Sequence, residues 1–402
     1  MKIAFITTGY FPVPPSKGGA VEDLLYTLIR ENENENKHCM EVYSVYDEKA
    51  KDISLQYNNT KFRYIKIPKI VQLFDILIYY FASNILRKEK NLSYRYMIQR
   101  LYFEYVVSRK INKELYDKII IENTAASFLA LKGKKFEKYQ GRVIYHLHNE
   151  VGFDFGCEDL INNTQVVLGI SEFVNKKFKE RFPNYIGKYK ILRNCVTRSF
   201  EENNENFNVR KKYQIEQNDF LILFAGRLSK EKGIYELIKA YKKNHKAEYK
   251  LMIVGGTYYG SNIESAFEKK IKKEVQDIKD QIIFTGYIDR NQINAFYKSA
   301  DLIVLPSIWD EPAGLTIIEA MSSGTPVITT NVGGIPEYIG DNNCIVLDRD
   351  EDIIENIAEN IQLVYENKNK YQRMAENAKK YAQKYNTKSY YREFCKIMEE
   401  IR

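Results

Sequence analysis

The stretch DLIVLPSIWDEPAGLTIIEA, residues 301–320, decides how the second half of this 402-residue chain folds. It opens on an unbroken apolar run, LIVL, of the kind that a parallel sheet buries on both faces. Pro312 disfavours helical geometry at Glu311, which therefore belongs to a loop. A helix begins near Gly314, where the N–H groups of Gly314, Leu315 and Thr316 have no acceptor within the helix. Glu319 falls one turn further in. Buried strand, short loop and helix form the repeating half of a parallel crossover unit.

Outward from this stretch the same alternation recurs. Upstream lie the apolar runs FLILFAG, KLMIVGG and IIFTG, interleaved with the helical patterns GIYELIKAY, IESAFEKKIKKEV and NQINAFYKSA; PVITT follows downstream. The first half repeats the scheme with KIAFIT, DKIIIEN, RVIYHLH and QVVLGIS. Between the halves runs SFEENNENFNVRKKYQIEQND, residues 199–219, the best candidate for a linker. The expectation is an α/β protein with two Rossmann-like doubly wound domains facing a central cleft. Residues 1–205 form the first, 206–380 the second, and 381–402 a final helix. Ligands should sit at the carboxyl ends of the strands.

Composition narrows the class. Five scattered cysteines, Cys39, Cys157, Cys195, Cys344 and Cys395, never form a CxxC pair. That fits a reducing compartment and argues against disulfides or a zinc site. The N-terminal MKIAFITTGYF reads as a buried strand; its apolar part is short for a signal peptide. The longest apolar stretch, residues 70–86, carries Gln72, Asp75, Ser83 and Asn84. It falls short of the ~20 apolar residues of a spanning helix. A cytoplasmic protein is expected.

The net charge is +8, and residues 61–110 hold 11 Lys/Arg against 3 Asp/Glu, a surplus equal to that of the whole chain. The same segment holds Phe74, Tyr79, Tyr80, Phe81, Tyr102 and Phe103. Basic and aromatic residues at helical spacing suit an interfacial helix on anionic lipid. An ordinary amphipathic helix, with its aromatics in the core and its lysines solvated, would read the same way. No nucleic-acid-binding motif accompanies the charge.

Four constellations carry chemistry. Gly18 and Gly19 precede a helix, where backbone N–H groups can approach an anion or a sugar; a plain turn is the alternative. Arg227 and Lys232, in FAGRLSKEKG, place two cations after a strand and beside a helix start. They repel each other unless an anion lies between them, and a diphosphate would satisfy both. Glu311 and Glu319 flank the free amides of residues 314–316. Like charge keeps them off a phosphate, yet each can accept hydrogen bonds from hydroxyls on either side of one. Their plainer roles are a solvated loop acid and a helix-dipole partner. His146 and His148 share one side of a strand end, with His148 nearer the loop. Asp348-Arg349-Asp350 looks like a metal-binding triplet, but an Asp before a charged helix serves as a cap.

Together, E-x7-E after a buried strand, the preceding GRLSKEKG and the following GTPVITTNVGGIPEYI resemble the retaining family-4 glycosyltransferases of the GT-B fold, of bacterial capsule and cell-wall type. In the first half only KGGA, HLHNE and GISEF share the likeness. The resemblance implies a nucleotide-sugar-binding second domain and an acceptor-side first domain, with the final helix crossing back to the first. Arg227 and Lys232 would hold the donor diphosphate, aided by the amides of Gly314, Leu315 and Thr316. Glu319 would take the ribose hydroxyls, Glu311 the donor sugar, and Tyr287 and Ile288 would border the base. Gly18 and Gly19 would approach the diphosphate, and His148 would contact the donor sugar or help orient the reacting centre. One departure is ILRNCVTRS, where such enzymes show Asn-Gly-Val-Asp: Asn194 and Val196 match, Cys195 and Thr197 do not.

The expected activity is retaining, metal-independent transfer of a hexose (rhamnose, glucose or galactose) from a UDP- or dTDP-linked donor, with no further cofactor. The expected acceptor is a lipid-linked saccharide in capsular or cell-wall polysaccharide synthesis. Segment 61–110 would hold the protein peripherally at the inner membrane face, with no nucleic-acid partner. A sugar-nucleotide epimerase of the same fold, a glycoside hydrolase using the two carboxylates, and a non-enzymatic binding protein are the alternatives.

Overall fold

The computed structural model describes residues 1–84, 96–201, 207–244, 246–256 and 265–401. Arg87, Lys88 and Lys90 of segment 61–110, residues 202–206 of the linker candidate and most of the glycine-containing turn GGTYYGSN (255–262) lie outside the described residues. The chain forms two compact units, Met1–Arg193 with Tyr390–Arg402, and Asn194–Ser389.

The first unit is built on β1 (Lys2–Ile6), β2 (Cys39–Val45), β3 (Thr60–Ile65), β4 (Lys118–Glu122), β5 (Val143–Leu147), β6 (Val166–Gly169) and β7 (Lys188–Ile191). Its sheet runs in the order β3-β2-β1-β4-β5-β6-β7, with every neighbouring pair parallel. KIIIE, VIYHL and VVLG are buried throughout, because helices cover both faces of such a sheet. The strand order reverses between β1 and β4, which makes the carboxyl ends of these two strands the switch point. Helices α1 (Ala20–Glu35), α2 (Lys69–Asn84) and α3 (Met97–Ile111) belong to this unit.

The second unit repeats the plan with β8 (Phe220–Ala225), β9 (Tyr249–Val254), β10 (Ile282–Gly286), β11 (Leu302–Leu305), β12 (Val327–Thr330) and β13 (Ile345–Leu347). These lie parallel in the order β10-β9-β8-β11-β12-β13. Its helices include α4 (Ile234–Asn244), α5 (Arg290–Ser299) and α6 (Leu315–Ser323). One core packs Leu223, Val254, Ile303, Ile318 and Met321 on one side of the sheet, and another packs Ile222, Ile253, Ile328 and Ile357 on the other. The last helix, α7, spans Thr387–Glu400.

The boundary expected at 205 falls too late. Val196, Phe200 and Val209 pack in the second unit's core. The Asn194 N–H donates to the Tyr338 hydroxyl (3.0 Å) and the Val196 N–H to the Tyr385 carbonyl (2.8 Å). The polar composition of 199–219 hid these anchors. The boundary expected at 380 falls too early, since Ala382 and Tyr385 share that core. Beyond Tyr390 the chain is fastened in the first unit. There the Tyr391 hydroxyl donates to Asn32 Oδ1 (2.7 Å), and Lys118 Nζ donates to the carbonyl of Ile401 (2.6 Å).

The aromatics of segment 61–110 divide. Phe103 is fully buried, but Phe74, Tyr80 and Phe81 stand exposed, so a helix with all its aromatics in the core is not what forms. Among the described residues no helix is long and apolar enough to cross a membrane.

On the inner side of α3, Glu104 is fully buried and accepts a hydrogen bond from the Ser127 hydroxyl (2.7 Å). Burial pushes its carboxyl up to about 8. The folded state therefore holds a proton that the unfolded chain releases near its ordinary value. The resulting stability is complete at acid pH and is lost as pH rises through 8. Glu104→Gln keeps the Ser127 contact and removes the ionisation. Relative to that variant, the wild-type protein is expected to lose about 3 kcal/mol between pH 6 and pH 9. Urea melts at the two pH values check this; equal losses in both proteins would refute it.

Candidate functional site

The strand order of the second sheet reverses between β8 and β11, and the two loops leaving these strands carry the candidate site. They are tied together: the Ile308 N–H donates to the Glu231 carbonyl (2.9 Å). Gly233 closes the first loop with φ 68°, and a Cβ there would stand 1.8 Å from the Pro306 carbonyl oxygen of the second. No residue with a side chain fits that approach. From behind, the Gly334 N–H donates to the Glu311 carbonyl (2.7 Å), and Gly333 (φ 56°) packs against the Glu311 backbone. The backbone under Glu311 is thus clamped on two sides by glycine turns.

The side chains fall into two adjoining cavities. One, of about 280 Å³, is lined by Arg227, Tyr287, Ile288, Arg290, Thr316 and Glu319. The other, of about 30 Å³, is lined by Lys232, Ser307, Glu311, Gly314 and Thr316. Thr316, in the first turn of α6, belongs to both. Gly314 is the N-cap of α6, and no side chain caps the helix start. Amides at residues 314–316 therefore lie between the carboxylates, at the positive end of the helix dipole. The sequence-level placement of Glu311 on a loop and Glu319 inside the helix matches this geometry.

Two features differ from the sequence reading. Lys232 is already neutralised by a carboxylate, since its Nζ lies 2.5 Å from Glu311 Oε1. The tied loops bring residues 79 positions apart into contact. Arg227, by contrast, is exposed on the cavity rim. Glu311 also accepts a hydrogen bond from the Ser307 hydroxyl. Glu319, almost fully buried, is gripped by Arg290 Nη2 at 2.6 Å. Sequence reasoning missed Arg290 and Ser307. The available signal was physical: a carboxylate facing a packed helix interior needs a cation partner. Tyr287 and Ile288 follow β10, whose register shifts between Phe284 and Gly286, and both line the larger cavity.

The remaining candidates lie in the first unit. Gly18 and Gly19 have φ 78° and 106°, and Gly19 caps α1. A Cβ on Gly19 would meet Glu22, whose buried carboxyl accepts a hydrogen bond from the Thr8 hydroxyl (2.8 Å) and is pushed by burial up to about 7. His146 and His148 are both buried and converge on Glu122, another residue the sequence reading passed over. His146 Nδ1 lies 3.0 Å and His148 Nε2 3.2 Å from Glu122 Oε2. Burial and the neighbouring His146 push His148 down to about 4. Burial alone would raise the Glu122 carboxyl, but His146 and the hydrogen bonds from both rings hold it well below the carboxylate range. His148 is therefore neutral near pH 7 and presents its Nε2–H to an ionised Glu122. Among the described residues this trio is the one cluster of three side chains whose ligand atoms are close enough to hold a metal ion. Their mutual hydrogen bonds already account for the convergence.

Two parallel-sheet units of this construction make up the GT-B fold. The structure of Anabaena Alr3699/HepE in complex with UDP-glucose matches with a TM-score of 0.68 at 19% identity, covering 100% of each chain. Sucrose-phosphate synthase from Thermosynechococcus elongatus matches with a TM-score of 0.73 at 17% identity, covering 100% of this chain and 99% of that one. Residues 205–381 match the model of the family described as Glycosyl transferases group 1. Among its relatives, the lipopolysaccharide 1,2-N-acetylglucosaminetransferase of Salmonella typhimurium is 25% identical over 343 residues, 85% of this chain and 83% of that one.

Proposed function

We propose that the protein transfers a hexose, with retention, from a UDP- or dTDP-linked donor to a lipid-linked saccharide in the synthesis of a surface polysaccharide such as a capsule. The observation that carries this reading is the pair of cavities sharing Thr316, with helix amides between two carboxylates. The diphosphate sits at the start of α6, held by Arg227, Lys232 and the amides of Gly314, Leu315 and Thr316. Glu319 accepts from the ribose hydroxyls and Glu311 from the donor sugar, while Tyr287 and Ile288 flank the base. In the first unit, Gly18 and Gly19 are assigned to the diphosphate and His148 to the donor sugar. The neighbours crystallised with UDP and UDP-glucose support the donor class. The Salmonella relative supports a saccharide acceptor.

Chemically, the site supplies cationic and amide charge where the leaving diphosphate develops its own. The acceptor oxygen attacks the anomeric carbon on the face that the diphosphate leaves, and the departing phosphate oxygen takes the acceptor's proton. Two side-chain cations and a helix terminus neutralise the leaving group, so the reaction is proposed to be metal-independent and unchanged by EDTA. The protein is proposed to work as a peripheral protein of the inner membrane face, with no nucleic-acid partner.

Thermal-shift measurement against a panel of nucleotides tests the donor assignment. A ligand at ~100 times its Kd stabilises by about 2.7 kcal/mol, a shift of roughly 2–4 °C for a protein of this size. UDP or dTDP is expected to give that shift and free sugars none. No shift with any nucleoside diphosphate would sink the reading. Sugar-nucleotide turnover to an isomer without acceptor would favour the epimerase instead.

A further inference from the structure

Helix α2 is amphipathic in the wrong sense for a core helix. Ile70, Leu73, Phe74, Leu77, Tyr80 and Phe81 are each 51–64% exposed. Their spacing of three and four residues draws one continuous stripe down the helix. The opposite side carries Asp75, which is fully buried. Its two carboxylate oxygens accept from the Ile98 and Gln99 N–H groups, each at 2.8 Å. Those amides open α3 and have no acceptor inside it. Asp75 therefore caps α3 and at the same time fixes the roll of α2. Turning the stripe inward would strip the two helix-opening amides of their partner.

The charges of the same two helices are one-sided. The acidic residues of α2 and α3, Asp75 and Glu104, are both buried, whereas Lys69, Arg109 and Lys110 are exposed. Lys66, just before α2, is exposed as well. Helix α3 adds a row of exposed apolar side chains of its own, Met97, Leu101 and Tyr105, at intervals of four residues. Among the described residues of α2 and α3 every exposed charge is a cation, and an apolar stripe on such a pair of helices is matched by a surface with acyl chains beneath anionic headgroups. A second copy of the same face would set cation against cation.

We propose that α2 lies in the headgroup layer of an anionic bilayer, with the Ile70–Phe81 stripe turned toward the acyl chains, and that α3 carries this placement to an acceptor cavity. The link is Arg100 of α3. Its guanidinium stands 5.1 Å from the ring centroids of both Tyr10 and Phe155, and its Nη1 donates to the Tyr10 hydroxyl (2.9 Å). Tyr10 and Phe155 line a cavity of about 250 Å³ with Thr8, Asn123, Tyr145 and Glu150. This cavity opens at the switch point of the first sheet. Aromatic rings beside hydroxyl, amide and carboxylate groups suit the saccharide head of a lipid-linked acceptor. The cavity assignment rests on the proposed transferase function; the bilayer docking does not.

The test is flotation of the full chain with vesicles of phosphatidylglycerol and phosphatidylethanolamine, and separately of phosphatidylcholine, for wild type and Leu73→Glu/Leu77→Glu. Both substituted side chains are exposed, so the melting temperature and the UDP-induced shift should stay unchanged. Wild type is expected to float with the anionic vesicles and not with phosphatidylcholine, and the variant to float at least about tenfold less. Absence of wild-type flotation, or equal flotation of the variant, overturns the proposal. Sedimentation without lipid provides a second measurement. A dimer that the same double substitution dissociates, with no flotation, would assign the stripe to a second copy of the chain and overturn bilayer docking. Flotation contains no sugar chemistry, so intact flotation with no glycosyl transfer would strike the transferase reading alone.

Discussion

Lys232→Ala is expected to lower kcat by about 10³-fold, with a much smaller change in donor KM. The effect follows from charge. In the free protein Lys232 Nζ lies 2.5 Å from Glu311 Oε1, so its charge is shared with a neighbouring carboxylate. On the proposed reading, a bound diphosphate already meets Arg227 and the α6 amides. The extra negative charge of the leaving group appears only as the glycosidic bond breaks, and Lys232 is the compact cation placed to meet it. Its contribution therefore belongs to the transition state more than to binding. Lys232→Arg keeps the charge but brings a planar fork into a pocket of about 30 Å³, and should recover only part of the activity. Steady-state kinetics beside thermal melts separate the two roles open to Lys232. If the variant melts lower yet keeps kcat within about tenfold of wild type, Lys232 is only the structural partner of Glu311.

That the fold was legible in the sequence follows from how parallel sheets are made. Strands such as LIVL and KIIIE are buried on both faces, so their apolar runs are unbroken and easily seen. Pro312 and Gly314 mark the loop and helix start beside them by backbone geometry alone, and the structure places both where the residues predict. Pairings across the chain were not legible. Nothing local in FAGRLSKEKG says that Lys232 will meet a carboxylate 79 residues away, or that Arg290 will grip Glu319. The first contact exists because β8 and β11 are neighbours at the switch point, and the second because α5 packs against α6; both are properties of the tertiary arrangement. The same holds for Glu122, which sits at the end of an apolar strand and acquires meaning only when β5 lies beside it. The exposed face of α2 was ambiguous for another reason. Periodicity reveals that a stripe exists, and only the Asp75 cap decides which way it turns.

Glu319→Ala is expected to weaken binding of a nucleoside diphosphate by about 10- to 100-fold, the range for losing hydrogen bonds to a charged acceptor. Glu319 is almost fully buried, yet it lines the larger cavity while Arg290 holds its Oε1. On the proposed reading its carboxylate takes the ribose hydroxyls from the cavity side. A purely structural ion pair predicts something different: a loss of stability, because the half-buried Arg290 would lose its carboxylate, and a uniform loss of affinity for every ligand. The two cases separate with a ligand that lacks the hydroxyls. Wild type should bind UDP much more tightly than 2′,3′-dideoxy-UDP, and Glu319→Ala should bind both alike. In the cycle of two proteins and two ligands, the coupling should then reach about 1.5–3 kcal/mol. Titration calorimetry supplies all four affinities. A coupling near zero with intact discrimination in the variant would move the ribose elsewhere in the cavity. Glu319 would then be a clamp for Arg290 at the start of α5.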